Sequence, residues 1–337
     1  MLRTSSSFTH PRAWLAGLLL LMAGILPLAG CGGSNAGSNS LTIGLTYIPN
    51  IQFAPFYVAQ SLGYYKAAGL NVTLRHHGAN EDEFGALISG KENLIFAGGD
   101  ETLQARTQGP DIVYVAEVFT KYPVAMIVPS DSPIQKVSDL KGHSVGIPGK
   151  FGATYTGLLA LLASAGLKQD DVNIQTVGFT QVQALVTKKV DAVMGYLNNE
   201  PIQIQKQGMS VRTFDVASAQ PLISNGVAGL RHTLSAHPDQ VKAFIAATLK
   251  AVDYTIAHPQ EALEISKADV PGLDDLANAA DALTVLKATL PLWEHSGKAG
   301  YSDPAAWKSM ADFMQAQSLL EGSVGDVTKA YSNDYLS

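Results

Sequence analysis

The sequence has 337 residues, a formal net charge of −6 and one cysteine. A single cysteine excludes a disulfide within the chain and a cysteine-based metal cluster, and an acidic chain without a basic stripe argues against nucleic acid as a partner. Hydrophobic residues make up 46% of the sequence, which is enough for a packed core. The length predicts two domains or one large one.

The first 40 residues have the pattern of an export signal followed by a tether. Arg3 and Arg12 precede the apolar run AWLAGLLLLMAGILPLA, which leads into LAGC. This order is typical of a removable signal, with an uncleaved membrane anchor as the alternative. LAGC resembles the bacterial lipobox, which implies lipidation of Cys31. We therefore predict a lipoprotein signal peptide over 1–30 and, from the Gly/Ser/Asn tract, a flexible tether over 31–40.

Strand and helix patterns alternate after the tether. LTIGLTYI predicts a strand, QFAPFYVAQSLGYYKAAG a helix, LNVTLRHHG a strand, EDEFGALISG a short helix and NLIFAGG a buried strand. DETLQARTQG then predicts a helix that Asp100 could cap, and DIVYVAEVF and VAMIVP predict two more strands. This alternation predicts a parallel, doubly wound α/β sheet.

The alternation then restarts. HSVGIPG predicts a strand and is followed by a long apolar helix that opens at 151–154. VNIQTVGF, TQVQALVTKKV, DAVMGY and NNEPIQIQKQG continue as strand, helix, strand and helix, and VRTFDVA is another strand. From Ser235 to the end the pattern is almost wholly helical. Two α/β lobes predict a cleft beyond the carboxyl ends of the strands, where the loops are 47–52, 76–80, 98–101, 150–155, 179–181 and 196–201.

The lipobox, YIPNIQFAPFYVAQSLGYY, DLKGHSVGIPG and DAVMGYLNNEP together resemble the solute-binding proteins of ABC importers. Among these solute-binding proteins, the sequence more closely resembles the family that includes thiamine-pyrimidine precursor binders and riboflavin binders. It implies a two-lobed, type II periplasmic-binding-protein fold with a ligand cleft between the lobes and a helical C-terminal tail. Lobe one would comprise 41–122 plus 226–337 and lobe two 123–225, with the chain crossing near 120–125 and 221–227.

The resemblance also implies the function and the partners. We expect a monomeric lipoprotein, exported and lipid-anchored on the outer face of the cell membrane or its periplasmic side, that delivers a flat heteroaromatic vitamin or precursor to an ABC permease and its ATPase. No cofactor, nucleic acid or catalytic role is expected. One alternative is a binder of a small oxyanion such as an alkanesulfonate. Another is a pyrimidine-synthase-like enzyme, whose eukaryotic members carry a cysteine-rich iron motif that this sequence lacks.

The first candidate contact is the glycine-rich start of the long helix. Phe151, Gly152 and Thr154 lie where free N–H groups favour a ligand oxygen. The alternative is a helix start capped by water and Thr154. The stretch GKFGAT matches neither a Walker loop nor a dinucleotide fingerprint.

The second candidate contact is GYLNNEP. Glu200, beside Asn198, follows a strand and starts a helix, so its carboxylate could accept N–H groups from an aminopyrimidine or an imide edge. The resemblance implies that Glu200 contacts the base, whereas the alternative is a first-turn glutamate favoured by the helix dipole. Tyr196 could stack on the ligand or belong to the core.

The third candidate contact is YIPNIQF, where amide side chains offer both donors and acceptors. Asn50 could equally be a turn residue, and Asp100 a helix cap. His76 and His77 are adjacent on a strand and face opposite ways, so we predict no metal site. The predicted ligand-binding set is Tyr47, Asn50, Gln52, Asp100, Tyr122, Phe151, Gly152, Thr154, Gln181, Tyr196, Asn198 and Glu200.

Overall fold

The structure is a computed structural model that describes residues 39–78 and 81–337. The predicted signal peptide, Cys31 and most of the predicted tether lie outside the described residues. The first strand begins at Ser40, so the last residue of the predicted tether belongs to the fold. Within the described ranges, no helix is both long enough and apolar enough to cross a membrane.

The strands form two five-stranded sheets with helices packed on them. Their bounds are β1 Ser40–Leu45, β2 Asn71–His76, β3 Leu94–Gly98, β4 Ile112–Glu117, β5 Val124–Pro129, β6 Ser144–Ile147, β7 Asn173–Thr176, β8 Ala192–Tyr196, β9 Val211–Asp215 and β10 Asn225–Leu230. The first sheet has the order β2-β1-β3-β10-β4, and the second has the order β7-β6-β8-β5-β9.

Both sheets are mixed, so the prediction of a parallel sheet is wrong for one strand in each. β10 runs antiparallel to β3 and β4, and β5 runs antiparallel to β8 and β9. The reason is the double crossing of the chain. It leaves the first sheet at the carboxyl end of β4 and returns at that same end, so β10 must run in the opposite direction. By the same logic β5 enters the second sheet from the end at which the other strands finish.

The helices are α1 Ala54–Ser61, α2 Tyr64–Ala67, α3 Gly85–Ile88, α4 Gly99–Thr107, α5 Gly152–Ser164, α6 Gln181–Val186, α7 Glu200–Lys206, α8 Arg231–Ala236, α9 Pro238–Ala257, α10 Pro259–Ser266, α11 Leu276–Trp293 and α12 Pro304–Ala316. The predicted single helix over 52–69 is divided because Gly63 adopts a left-handed φ of 71°. The predicted helical C-terminal region is confirmed by α8 to α12. Helix does not continue to the end of the chain, since Tyr331 pairs with Tyr114 as an isolated β-bridge.

Two large apolar clusters hold the sheets to their helices. One lies between the first sheet and α1, α9 and α11 and includes Phe56, Phe244 and Trp293. The other reaches from Tyr114 and Trp307 to Leu158 on α5, so it joins elements of both sheets. This shared core places the carboxyl ends of β1, β3, β6 and β8 around one space.

Candidate functional site

A cavity of about 750 Å³ opens between the two sheets. Its walls are the segments that follow β1, β2 and β3 on one side and β6, β7 and β8 on the other, as expected for ligand sites beyond the carboxyl ends of strands. The volume lies within the usual range for small-molecule sites. The lining includes Tyr47, Gln52, Phe53, Glu83, Phe96, Glu101, Phe119, Phe151, Gly152, Thr154, Phe179, Gln181, Tyr196, Glu200 and Asn225.

Aromatic side chains line this cavity from both sheets. Phe53 and Phe96 meet edge to face, with ring centroids 6.1 Å apart, and form part of the wall on the side of the first sheet. Tyr47 and Phe179 also meet edge to face, at 5.3 Å, and this contact joins the loop after β1 to the segment after β7. Phe151 and Phe179 remain 57% and 45% exposed. The cavity therefore offers apolar ring faces to a flat ligand.

The start of α5 is held by a carboxylate of the chain itself. Ala153 N–H donates to Glu101 Oε1 at 3.0 Å, and Gly98 N–H donates to Glu101 Oε2 at 2.7 Å. The N–H group of Ala153, which we expected to meet a ligand oxygen or water, is thus taken by Glu101. At the start of α4 it is Glu101, and not the predicted Asp100, whose side chain caps the helix, by accepting the N–H of the N-cap residue Gly98. Gly152 has φ of 67°, a conformation in which glycine has no steric cost.

Asp100 and Tyr122 form a second link to α5, beneath the cavity lining. Tyr122 Oη lies 2.8 Å from Asp100 Oδ2 and 3.0 Å from the Ala153 carbonyl oxygen. The Tyr122 hydroxyl donates to Asp100 Oδ2 and faces the Ala153 carbonyl oxygen, so it ties the start of α4 to the start of α5. Burial, followed by the charge of Glu101, raises the pKa of Asp100 to about 7.

Glu200 lines the cavity and also fixes its own turn. Its Oε2 accepts the Tyr196 N–H at 2.7 Å, and its Oε1 accepts the Asn199 side-chain amide at 3.1 Å. Burial raises the pKa of Glu200, and burial followed by the Glu200 charge raises the pKa of Tyr47. Glu200 therefore stabilises the turn at the start of α7 and also lines the cavity.

Two amide side chains in the wall keep unpaired atoms. Gln52 Nε2 and Asn225 Oδ1 are buried and have no hydrogen-bond partner among the described residues. Gln181 is also buried in the lining. Buried polar groups without partners are costly, so these amides are suited to hydrogen bonds with a bound molecule.

The charge of the cavity is acidic. Glu81, Asp82, Glu83, Glu101 and Glu200 are in its lining, and no lysine or arginine is among the described lining residues. Burial, followed by the charge of Glu101, raises the pKa of Glu83 well above its usual range. This wall favours ligand N–H groups over anionic oxygens.

His76 and His77 serve different partners. His76 Nδ1 lies 3.0 Å from the Tyr47 carbonyl oxygen and its Nε2 lies 3.0 Å from Tyr57 Oη, which fixes the loop that carries Tyr47. His77 Nε2 lies 2.8 Å from Glu92 Oε1. In 39–78 and 81–337, no group of three potential metal-ligating side chains comes together.

The structure brings most of the predicted set to the cavity. Lining positions are taken by Tyr47, Gln52, Phe151, Gly152, Thr154, Gln181, Tyr196 and Glu200. The other four predicted residues lie outside the lining: Asn50, Asp100, Tyr122 and Asn198. Asn50 accepts the Gln52 N–H and caps a short 3-10 turn, and Asn198 donates to Thr289 on α11 at 2.8 Å.

Comparison with known proteins identifies the family of this chain. The family model described as NMT1/THI5 like matches residues 50–262. The riboflavin-binding protein RibY of Chloroflexus aurantiacus is 35% identical over 88% of this chain and 86% of its own length. The chain belongs to the NMT1/THI5-like family. The formylaminopyrimidine-binding protein of Halalkalibacterium halodurans is 24% identical, over 91% of this chain and 95% of its own.

Some relatives of this chain are named as enzymes. A 4-amino-5-hydroxymethyl-2-methylpyrimidine phosphate synthase of Aspergillus parasiticus is 26% identical over 63% of this NMT1/THI5-like chain and 65% of its own length. Among solved structures, the aliphatic sulphonate binding protein SsuA of Escherichia coli superposes with a TM-score of 0.72 at 19% identity, over 88% of this chain and 98% of its own. That likeness confirms the two-lobed periplasmic-binding-protein fold.

Several lining residues of this NMT1/THI5-like chain were absent from the predicted set. Phe179 follows β7 in the loop 179–181, which the strand pattern places at the cleft, so the sequence indicates that Phe179 could reach the ligand. Glu101 is recognisable in the sequence as an acidic residue in the first turn of a helix. Its hydrogen bond to Ala153 is not recognisable, because Ala153 is 52 residues away. Asn225 and Phe119 lie next to the chain crossings, where strand periodicity gives no information about direction.

Proposed function

We propose that this protein is the solute-binding component of an ABC importer and that it captures a flat heteroaromatic ligand with N–H groups on one edge. The observation that carries the proposal is the cavity between the sheets. Aromatic faces, amides and carboxylates line it, and no lysine or arginine is among its described lining residues. Such a wall can stack on a ring and accept its N–H groups, while it offers no side-chain cation to an oxyanion.

Riboflavin is the ligand we favour. The 35% identity to a protein named as riboflavin-binding supports this choice, and so does a cavity of about 750 Å³, which suits a three-ring system with a polyol chain better than a single pyrimidine. The imide edge of a flavin needs donors and acceptors side by side, which Gln52, Asn225 and Gln181 offer. An aminopyrimidine is the second candidate, because carboxylates such as Glu200 can accept its amino group.

We further propose that each sheet with its helices forms a lobe, 41–122 plus 226–337 and 123–225, and that binding closes one lobe on the other. The Tyr47–Phe179 contact, at 5.3 Å between ring centroids, already joins the two proposed lobes at the edge of the cavity. The closed form would be the one that the permease recognises. Export, lipidation at Cys31 and a monomeric state belong to the same proposal, and so does a role in carriage rather than catalysis.

The test is equilibrium binding to the full chain, purified in a mild detergent. Titration with riboflavin, an aminopyrimidine and an alkanesulfonate should give quenching of flavin fluorescence at one riboflavin per chain, with a dissociation constant near or below about 1 μM, equivalent to roughly −8 kcal/mol. Tight binding of the alkanesulfonate with no binding of either heteroaromatic compound would contradict the proposal.

A further inference from the structure

Two helix N-termini converge on one carboxylate in the cavity wall. α4 begins at Gly99 and α5 begins at Gly152. Glu101 accepts the Gly98 N–H with one oxygen and the Ala153 N–H with the other, at 2.7 and 3.0 Å. The ends of two helices with free N–H groups are a favourable place for an anion. Here the chain supplies that anion from its own side chain.

The surroundings of Glu101 leave little room for a second negative charge. The side chain is buried, with 8% of the residue exposed, yet it contributes to the cavity lining. Asp100 is its neighbour in sequence, and burial together with the charge of Glu101 raises the pKa of Glu83 in the same wall. Of the described lining residues, His77 is the one with a basic side chain, and its Nε2 is already paired with Glu92.

We propose that Glu101 is the residue that sets the charge specificity of the cavity. By filling the position where two helix N-termini would hold an anionic group, it makes the site accept a neutral heteroaromatic ligand and reject the phosphate ester or sulfonate of similar shape. This inference rests on the proposed function, because it takes a neutral heteroaromatic compound as the natural ligand. The position of Glu101 between α4 and α5 does not depend on which heteroaromatic ring is bound.

The matched probes are riboflavin and flavin mononucleotide, which share the ring and the polyol and differ by one phosphate. We expect the full chain to bind riboflavin at least about tenfold more tightly, because like charges in a desolvated site repel strongly. Glu101→Gln keeps one acceptor oxygen and the side-chain shape but removes the charge. We expect this variant to lose most of the discrimination, through tighter binding of the phosphate ester.

The control variant is Glu261→Gln. It removes the same charge from the first turn of another helix, α10, and Glu261 is not in the cavity lining. We expect it to keep the wild-type preference for riboflavin. Equal preference in wild type and Glu101→Gln would overturn the inference, and so would wild-type protein that binds both flavins equally.

A second measurement needs no organic ligand. Melting temperatures of wild type, Glu101→Ala and Glu261→Ala are compared in sodium sulfate and in sodium chloride at equal ionic strength. Sulfate stabilises proteins in general, so the informative quantity is the excess rise in Glu101→Ala, where the vacated helix ends can hold the ion. An excess in this variant alone supports the inference, and equal rises in all three proteins oppose it.

The two measurements separate this inference from the proposed function. If no flavin binds but the sulfate excess is present, the choice of riboflavin fails and the role of Glu101 stands. If riboflavin binds and neither the flavin ratio nor the sulfate response depends on Glu101, the function stands and the inference fails.

Discussion

Replacing Gly152 by alanine tests how α5 is joined to the first sheet. Gly152 has φ of 67°, and a methyl group built on it would lie 3.2 Å from Glu101 Oε1. The substitution therefore has two effects. It puts a side chain into the left-handed region, and it pushes against the carboxylate that accepts the Ala153 N–H.

The magnitudes of the two effects can be separated with a matched glycine. Gly166, just after α5, has φ of 69° and no atom within 4 Å of an added methyl group. Gly166→Ala should cost about 1–2 kcal/mol for the left-handed backbone alone. A hydrogen bond to a charged group contributes roughly 1.5–3 kcal/mol. Gly152→Ala should therefore destabilise the protein by up to that amount beyond Gly166→Ala.

The assay is urea unfolding of the full chain, followed by the fluorescence of its buried tryptophans. The double variant Gly152→Ala with Glu101→Ala completes a cycle in which the extra cost should disappear, because the hydrogen bond is already absent. Equal free energies of unfolding for Gly152→Ala and Gly166→Ala would refute the reasoning. So would an extra cost that persists without Glu101.

Three further predictions concern the anchor, the cavity wall and pH. Cys31→Ser should move the protein from the membrane pellet to the detergent-free soluble fraction with unchanged riboflavin affinity; a variant that stays in the pellet would oppose lipidation as the anchor. Glu200→Gln should weaken ligand binding by about 1–3 kcal/mol, because one acceptor oxygen becomes a donor. If calorimetry instead shows a less stable protein with unchanged ligand affinity, Glu200 only stabilises its own turn. The pKa of Asp100 is about 7 in the folded state and 3.8 in the unfolded state. The contribution of Asp100 to stability is therefore complete below pH 3.8 and is lost as the pH rises through 7. The melting temperature should thus fall from pH 5 to pH 8, and less so in Asp100→Asn; an equal fall in both proteins would exclude Asp100 as the cause.

The sequence pattern predicted the elements better than their directions. Alternation of apolar residues located β1, β3, β5 and β8 to within a few residues, because each is buried in a sheet and its length is set by local turns. The direction of β10 depends on where the chain returns from the second sheet. That information is long-range, and no window of neighbouring residues contains it.

The candidate site shows the same division. Loops after strands were recognisable from local signals, and they supplied Tyr47, Gln52, Phe151, Tyr196 and Glu200, all of which reach the cavity lining. The partner of a polar side chain was not recognisable. Glycine and small residues at the start of α5 have the pattern of an anion site, but the pattern does not reveal whether the anion is a ligand or a distant carboxylate.

The occupation of that helix start changes what binding must rely on. Because Glu101 accepts N–H groups at the starts of α4 and α5, the partial positive charge of these two helix ends is used within the protein. What remains for a ligand is stacking on exposed rings such as Phe151 and Phe179, and hydrogen bonds to amides such as Asn225. These contacts reward a broad neutral ring more than a compact ion, since stacking grows with ring area. Under the proposed function, a fold that superposes on a sulphonate binding protein would serve a different class of solute.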